Sequence, residues 1–157
     1  MSTGRSPTES PSAEVTAHIR DSCMCLRAHR AARALARRFD RAFQPLGLTN
    51  GQFSLMMSLN RPRPPNMRSV ATLLAMDRTT LTAALKPLER RGLIASSPDP
   101  DDMRSRLIAL TPAGRSLLSR AVPVWHATHA TIERSLPRPD RSQLLEMLNK
   151  LAEQPLP

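Results

Sequence analysis

A chain of 157 residues with 23 Lys and Arg against 13 Asp and Glu carries a formal charge of +10 and an isoelectric point near 11.5. That length suits about one domain with a core of its own, and the cationic excess points to a polyanionic partner such as nucleic acid or an anionic membrane surface. No apolar run approaches the roughly 20 residues needed to span a bilayer, and with no Tyr, three Phe and one Trp the exposed aromatics that read single strands have little to work with.

The opening residues 1–14, "MSTGRSPTESPSAE", are rich in Ser, Pro and Thr and lack an apolar h-region. They read as a disordered tail, not a secretory signal. Over residues 15–43 the pattern is helical. Ala28, Ala32, Leu35, Phe39, Ala42 and Leu46 step by three and four into one apolar stripe, and Arg27, Arg30, Arg33, Arg37 and Arg41 lie mostly off it. "PLGLTNGQ" breaks the helix, with Gly47 as its stop and Thr49 or Asn50 as the next N-cap. A short helix "GQFSLMMSLN" follows, then the connector "RPRPP", then a second short helix of roughly ten residues from Asn66. Phe39, Phe43, Phe53 and Trp125 sit in apolar surroundings and are expected in the core.

"DRTTLTAALKPLERRGLI" comes next. Leu81, Ala84, Leu85 and Leu88 recur at the spacing of one buried helical face. Stepping by about 100° per residue gathers Thr79, Thr82, Ala83, Lys86 and Arg90 on the opposite side. Asp77 is the N-cap, Gly92 the stop, and Pro87 removes one backbone bond and should bend the helix. "LIASSPDPDDMRSRLIALT" reads as two strands, residues 93–97 and 105–110, around a "PDPDD" turn. Two further helices complete the chain: the first should kink at Pro123, and the second has an apolar edge of Leu144, Leu145, Leu148 and Leu151. The fold class is therefore mainly α with a small β-wing. Residues 47–111 form a winged helix-turn-helix, and residues 15–46 and 112–157 form a helical dimerisation region.

The exposed face of residues 78–90 is the chemical lead. Thr hydroxyls and methyls can approach base edges, while Lys86 and Arg90 reach more naturally to phosphates. Between Arg61 and Arg115 there are ten basic and five acidic residues. A solvated amphipathic helix is the bland alternative, but a basic helix, a glycine stop and a charged hairpin in that order are much rarer. Nucleophile-elbow, P-loop, zinc-protease and dinucleotide motifs are missing from the sequence, so an enzyme is not expected. The acidic turn Asp99, Asp101, Asp102 lacks the spacing of a calcium loop.

"LGLTNGQFSLMMSL" followed by "SVATLLAMDRTTLTAALKPLERRGLIASSPDPDDMRSRLIALTPAGRSLL" resembles the multiple antibiotic resistance regulator (MarR) family of bacterial transcription factors. The recognition-helix run and the wing pattern of Asp102, Arg104, Leu110 and Thr111 carry the likeness. The resemblance implies a cytoplasmic homodimer on a pseudo-palindromic operator in double-stranded DNA, most often a repressor released by a small-molecule effector, with no cofactor and no membrane partner. It implies a recognition helix offering Arg78, Thr79, Thr80, Thr82, Lys86 and Arg90 to the major groove. Arg104, or Arg106 beside it, would enter the minor groove, with Asp102 orienting the arginine. Many relatives have a basic residue where this chain has Ala83, so its operator is expected to differ. Met24, Phe53, Met57 and Trp125 are the apolar candidates for an effector pocket, with simple core as the alternative.

The organic-hydroperoxide-sensing (OhrR) branch of the family carries a reactive cysteine in its first helix, at about the distance from "LGLT" that Cys25 shows. This makes Cys25 a redox candidate, although the tyrosines that bond the sulfur in that branch are lacking here. A buried structural Cys25 is the alternative. On one continuous helix Cys23 and Cys25 would point about 200° apart, against a shared metal or a disulfide. His126 and His129 share a helical face, but a third ligand is not evident and no metal is expected.

Overall fold

The helical periods become seven α-helices, one 3₁₀ turn and a two-stranded sheet in the computed structural model, which describes residues 10–102, 104–136 and 141–153. In chain order these are α1 (Ala13–Ser22), α2 (Met24–Phe43), the turn Gln44–Leu46, α3 (Asn50–Leu59), α4 (Met67–Leu73), α5 (Arg78–Arg90), β1 (Ile94–Pro98), β2 (Arg106–Leu110), α6 (Pro112–Ser135) and α7 (Arg141–Glu153). The chain divides into two units, Met1–Leu35 and Ala36–Pro157.

In the first unit, helix begins at Ala13 because Ser12 caps it, its hydroxyl oxygen accepting from the Val15 N–H at 3.3 Å. Two residues assigned to the tail are thus helical, and residues 1–9 of that tail lie outside the described residues. The helix expected over residues 15–43 is not continuous. Cys23 takes an extended conformation (φ −69°, ψ 108°) and separates α1 from α2. Its sulfur then accepts from the Leu26 N–H at 3.4 Å, serving the first turn of α2 as a cap side chain would. Since Cys23 is not helical, the angular argument separating it from Cys25 does not apply. In the single chain Cys25 is exposed and Cys23 half-buried, where the structural reading expected Cys25 to be buried.

The second unit holds the core. Phe39 and Phe43 on α2 and Phe53 on α3 form a run of stacked rings, with centroids 6.0 and 4.7 Å apart. Phe43, Leu55, Met56, Val70, Leu81, Leu88 and Ile108 are fully buried, and each such side chain contributes about 1.5–3 kcal/mol of hydrophobic stabilisation. Trp125 is only half-buried, packed against this core and not within it. Leu81, Leu85 and Leu88 form the inner face of α5, with Ala84 half-buried beside them. Helices α5 and α6 run on through Pro87 and Pro123. On α7, Leu144, Leu145, Leu148 and Leu151 stand between 40% and 53% exposed, an apolar edge left partly open among the described residues.

Helix ends follow their caps. Thr49 starts α3 with a full capping box, exchanging bonds with Gln52. Gly47 (φ 63°) and Gly92 (φ 64°) supply the left-handed residues of two Schellman stops, where Leu48 bonds back to Phe43 O and Leu93 to Leu88 O. Helix α4 is seven residues long where roughly ten were expected, because a third such stop closes it. Met76 bonds back to Ala71 O and Ala75 adopts φ 50°. Alanine pays a steric penalty there that glycine would not, and the sequence carries no glycine or asparagine to announce the turn.

The wing strands pair antiparallel, Ile94 opposite Leu110 and Pro98 opposite Arg106, each shifted one residue at its start from the expected range. Asn66 bridges Leu107, and the Ile108 N–H bonds to Pro65 O at 2.9 Å. The proline-rich connector thus supports β2 from the side away from β1, and joins the wing to the start of α4.

Candidate nucleic-acid interface

The start of α5 is shaped by Asp77. One carboxylate oxygen accepts from the Thr80 N–H (2.8 Å) and the other from the Thr80 hydroxyl (2.6 Å). The Thr80 side-chain bond, then its backbone bond, holds the Asp77 carboxyl below the ordinary range. A depressed acid stabilises the folded state above its unfolded pKa of about 3.9, and that contribution is lost as pH falls through the lower folded value. The cap is therefore intact at neutral pH.

This geometry divides the threonines. The Thr80 hydroxyl donates into the cap, and that of Thr82 donates back to Arg78 O at 2.7 Å, leaving an oxygen lone pair and a methyl outward. Thr79 is exposed and its hydroxyl has no partner among the described residues. Arg78, Lys86 and Arg90 are exposed and form no ion pair among the described residues.

Helices α4 and α5 and the wing enclose one concave groove of about 990 Å³. Arg78, Thr82 and Lys86 line it from α5, and Asp102, Arg104 and Arg106 from the wing, while Thr79, Thr80 and Arg90 lie outside its lining. Arg68, on the first turn of α4, is a further lining cation that the sequence pattern did not single out. Its signal was a lone arginine at the start of the helix preceding the recognition helix, the one that crosses the DNA backbone in a helix-turn-helix. With Arg68 the groove holds five cations against two acids, Glu89 and Asp102.

The two wing arginines differ. The Arg106 guanidinium is turned back onto β1, donating to the Ser96 hydroxyl at 2.9 and 3.1 Å and to Ser96 O at 3.1 Å. Arg104 has no side-chain partner among the described residues. Its backbone N–H donates to the Asp102 carboxylate at 3.0 Å, and the Ser105 N–H donates to Asp102 O at 2.8 Å. Asp102 thus shapes the tip through the backbone around Arg104, not by pairing with the guanidinium.

The other candidates are not among the groove's lining residues. Phe53 is buried against Phe43, Met57 is 41% exposed, and Trp125 lies on α6 with its ring 4.6 Å from that of His129. Met24 is 71% exposed and belongs to the first unit. His129 contacts Glu133 at 3.0 Å, and Arg141 of α7 meets the same carboxylate oxygen at 2.9 Å. Among the described residues no group of three or more His, Cys, Asp or Glu could hold a metal, and no helix is long and apolar enough to cross a membrane. The Cys25 sulfur is 3.9 Å from His29 Nδ1, one helical turn on.

A small antiparallel wing following a capped, outward-facing basic helix, the two sharing a cationic groove, defines a winged helix-turn-helix of DNA-binding regulators. Comparison with known proteins agrees. Residues 48–105 match the model of the MarR family. The transcriptional activatory protein BadR of Rhodopseudomonas palustris is 37% identical over 92 residues, covering 57% of this chain and 53% of BadR, so the match spans about half of that relative's length. The Mycobacterium tuberculosis transcriptional regulator MosR, solved in complex with DNA, superposes with a TM-score of 0.77 at 34% identity, covering 84% of this chain and 95% of MosR. The transcriptional repressor CouR bound to a 23-mer DNA duplex superposes with a TM-score of 0.73 at 30% identity, covering 93% of this chain and all of that chain. A CouR from Rhodococcus jostii RHA1, solved bound to p-coumaroyl-CoA, superposes with a TM-score of 0.74 at 25% identity, covering 87% of this chain and 96% of that chain. This chain belongs to the MarR family of transcriptional regulators.

Proposed function

We propose that the chain is a homodimeric repressor that places two α5 helices in successive major grooves of a pseudo-palindromic operator and is released by a small ligand. The observation that carries this reading is the groove shared by α5 and the wing, with Arg78, Lys86 and Arg104 on its walls and in no ion pair among the described residues. Arg78, Thr79 and Thr82 face the bases in this reading, Lys86 and Arg90 the phosphates, and Arg104 the minor groove, with Thr80 acting through the cap. The partly open leucine edge of α7 supports a second copy as its cover, and a dimer fits the two-fold symmetry of an operator. The effector proposed is a small amphipathic or aromatic acid; the CoA thioester bound to the Rhodococcus CouR carries an aromatic acyl group, the thioester form of such an acid. It must bind the DNA-incompetent form more tightly, since only a differential affinity shifts the equilibrium. A cytoplasmic setting follows from this function.

Fluorescence anisotropy with the duplex upstream of the chain's own gene tests it. Affinity should fall by orders of magnitude as salt rises from about 50 to 200 mM, and Lys86→Ala should reduce the logarithmic salt slope by about one. Binding indifferent to salt, or a Lys86→Ala slope equal to that of the unsubstituted chain, would defeat the docking.

The exposure of Cys25 and its nearness to His29 support a second reading, in which a Cys25 thiolate attacks an organic hydroperoxide. The S–O bond forms as the O–O bond breaks, leaving a sulfenic acid and an alcohol, and the altered sulfur loosens DNA. In that case cumene hydroperoxide releases the duplex, thiol restores binding, and Cys25→Ser removes the response. A Cys25→Ser protein that still lets go on oxidation rejects it.

A further inference from the structure

The recognition helix ends where three elements meet. Arg91, its C-cap residue, extends a guanidinium to Gly47 O at 2.8 Å, 44 residues back along the chain. Gly47 is the left-handed residue that closes the turn after α2, and Arg91 precedes Gly92, the left-handed residue that closes α5. One Schellman stop is thus bonded to the other. The α2 side of this joint is itself rigid. The Asp40 carboxylate on α2 accepts from the Asn50 N–H at 2.7 Å, so the turn carrying Gly47 O is held at both ends. On its other side the end of α5 is held by α6: the Thr111 hydroxyl donates to Gly92 O at 2.7 Å and the Thr111 N–H to Leu93 O at 3.0 Å.

We propose that Arg91 is a positioning residue for DNA binding. It sets the inclination of α5 by tying the helix's C-terminal turn to the end of α2, and it does not itself contact phosphate. The inference rests on the DNA-binding reading of α5 and adds to it a route by which a shift of α2 or α6 reaches the recognition helix. Chemistry supports a fixed joint: a guanidinium has planar, pre-organised donors, so little freedom is lost per bond formed, and a charged donor on a carbonyl makes a stronger bond than a neutral one. An exposed arginine beside a recognition helix has one obvious competing role, as a cation on a phosphate, and the salt slope separates the two. Removing a single cation from its phosphate lowers the slope by about one, whereas a change of inclination weakens binding with every cation still present.

The experiment is anisotropy of the full chain with the duplex upstream of its own gene, at four or more salt concentrations, comparing the unsubstituted protein with Arg91→Ala. The expected result, at a temperature where both proteins are fully folded, is a loss of affinity of roughly fivefold or more, with an unchanged salt slope. Weaker binding with a slope lower by about one shows Arg91 on a phosphate and overturns the proposal, as does unchanged affinity. So does a lowered midpoint in which the folded fraction binds normally. If Arg91→Ala does not fold, Arg91→Gln, too short to reach Gly47 O, is read by the same criteria. Absence of salt-sensitive binding by the unsubstituted protein would instead be a failure of the DNA-binding reading, visible before any variant is compared.

Discussion

Arg104→Ala is expected to weaken duplex binding by about 1–3 kcal/mol, roughly 5- to 150-fold, and to flatten the preference for A·T pairs at the flank of the site. The Arg104 guanidinium has no partner among the described residues and stands on backbone shaped by the Asp102 carboxylate. A narrow A·T-rich minor groove has an enhanced negative potential that favours an inserted arginine. Arg106→Ala is expected to cost less, because in the free protein its guanidinium is already bonded to Ser96 across the strand pair and must give up those bonds to reach DNA. Binding curves of both variants on the same duplex, and on one with G·C flanks, check this. An equal or larger loss in Arg106→Ala would move the minor-groove role to that residue.

Gly114→Ala is expected to destabilise the protein by about 3 kcal/mol, the upper end of ordinary overpacking, lowering the thermal midpoint by on the order of 10 °C. A methyl built on Gly114 would stand 2.0 Å from Leu93 O, 3.0 Å from Leu93 C and 3.4 Å from Leu110 Cδ2. Two of these neighbours are backbone, with no flexible side-chain end to yield. Moreover, Leu93 O is the acceptor of the Thr111 N–H, so the first turn of α6 would have to retreat and break the bond that seats it. In an exposed helix interior the same substitution stabilises by roughly 1 kcal/mol; the close approach reverses the sign. Denaturant unfolding followed by circular dichroism measures it, and an unchanged midpoint would mean that the α6–Leu93 contact is looser than the structure has it.

Much of this was legible in one dimension. Helical and strand periods report which face of an element is buried, and that is a local property. Leu81, Leu85 and Leu88 therefore marked the inner face of α5, Asp77 marked its start, and the start of α3 was narrowed to Thr49 or Asn50, of which Thr49 forms the cap. The order of basic helix, glycine stop and charged hairpin marked a winged helix-turn-helix, and the recognition-helix run with the wing pattern of Asp102, Arg104, Leu110 and Thr111 carried the family resemblance. Other features had no local signal. The break at Cys23 depends on a sulfur acting as a cap, a role the residue type does not advertise. The short α4 depends on an alanine held in a left-handed conformation, which only the surrounding packing sustains.

Arg78, Lys86, Arg104 and Arg106 were named from the sequence, but tertiary structure alone added a fifth cation to them. Arg68 enters the groove because α4 docks against α5 and β2, and nothing in its own neighbourhood of sequence says so. Arg104 and Arg106 are two residues apart and chemically identical, yet a cross-strand serine occupies Arg106 while Arg104 has no side-chain partner among the described residues. The bond from Arg91 to Gly47 joins groups 44 residues apart through a carbonyl that every residue type possesses. Side-chain spacing encodes burial, but it does not encode which backbone groups the fold will bring within 3 Å of a charge, because that follows from how whole elements pack.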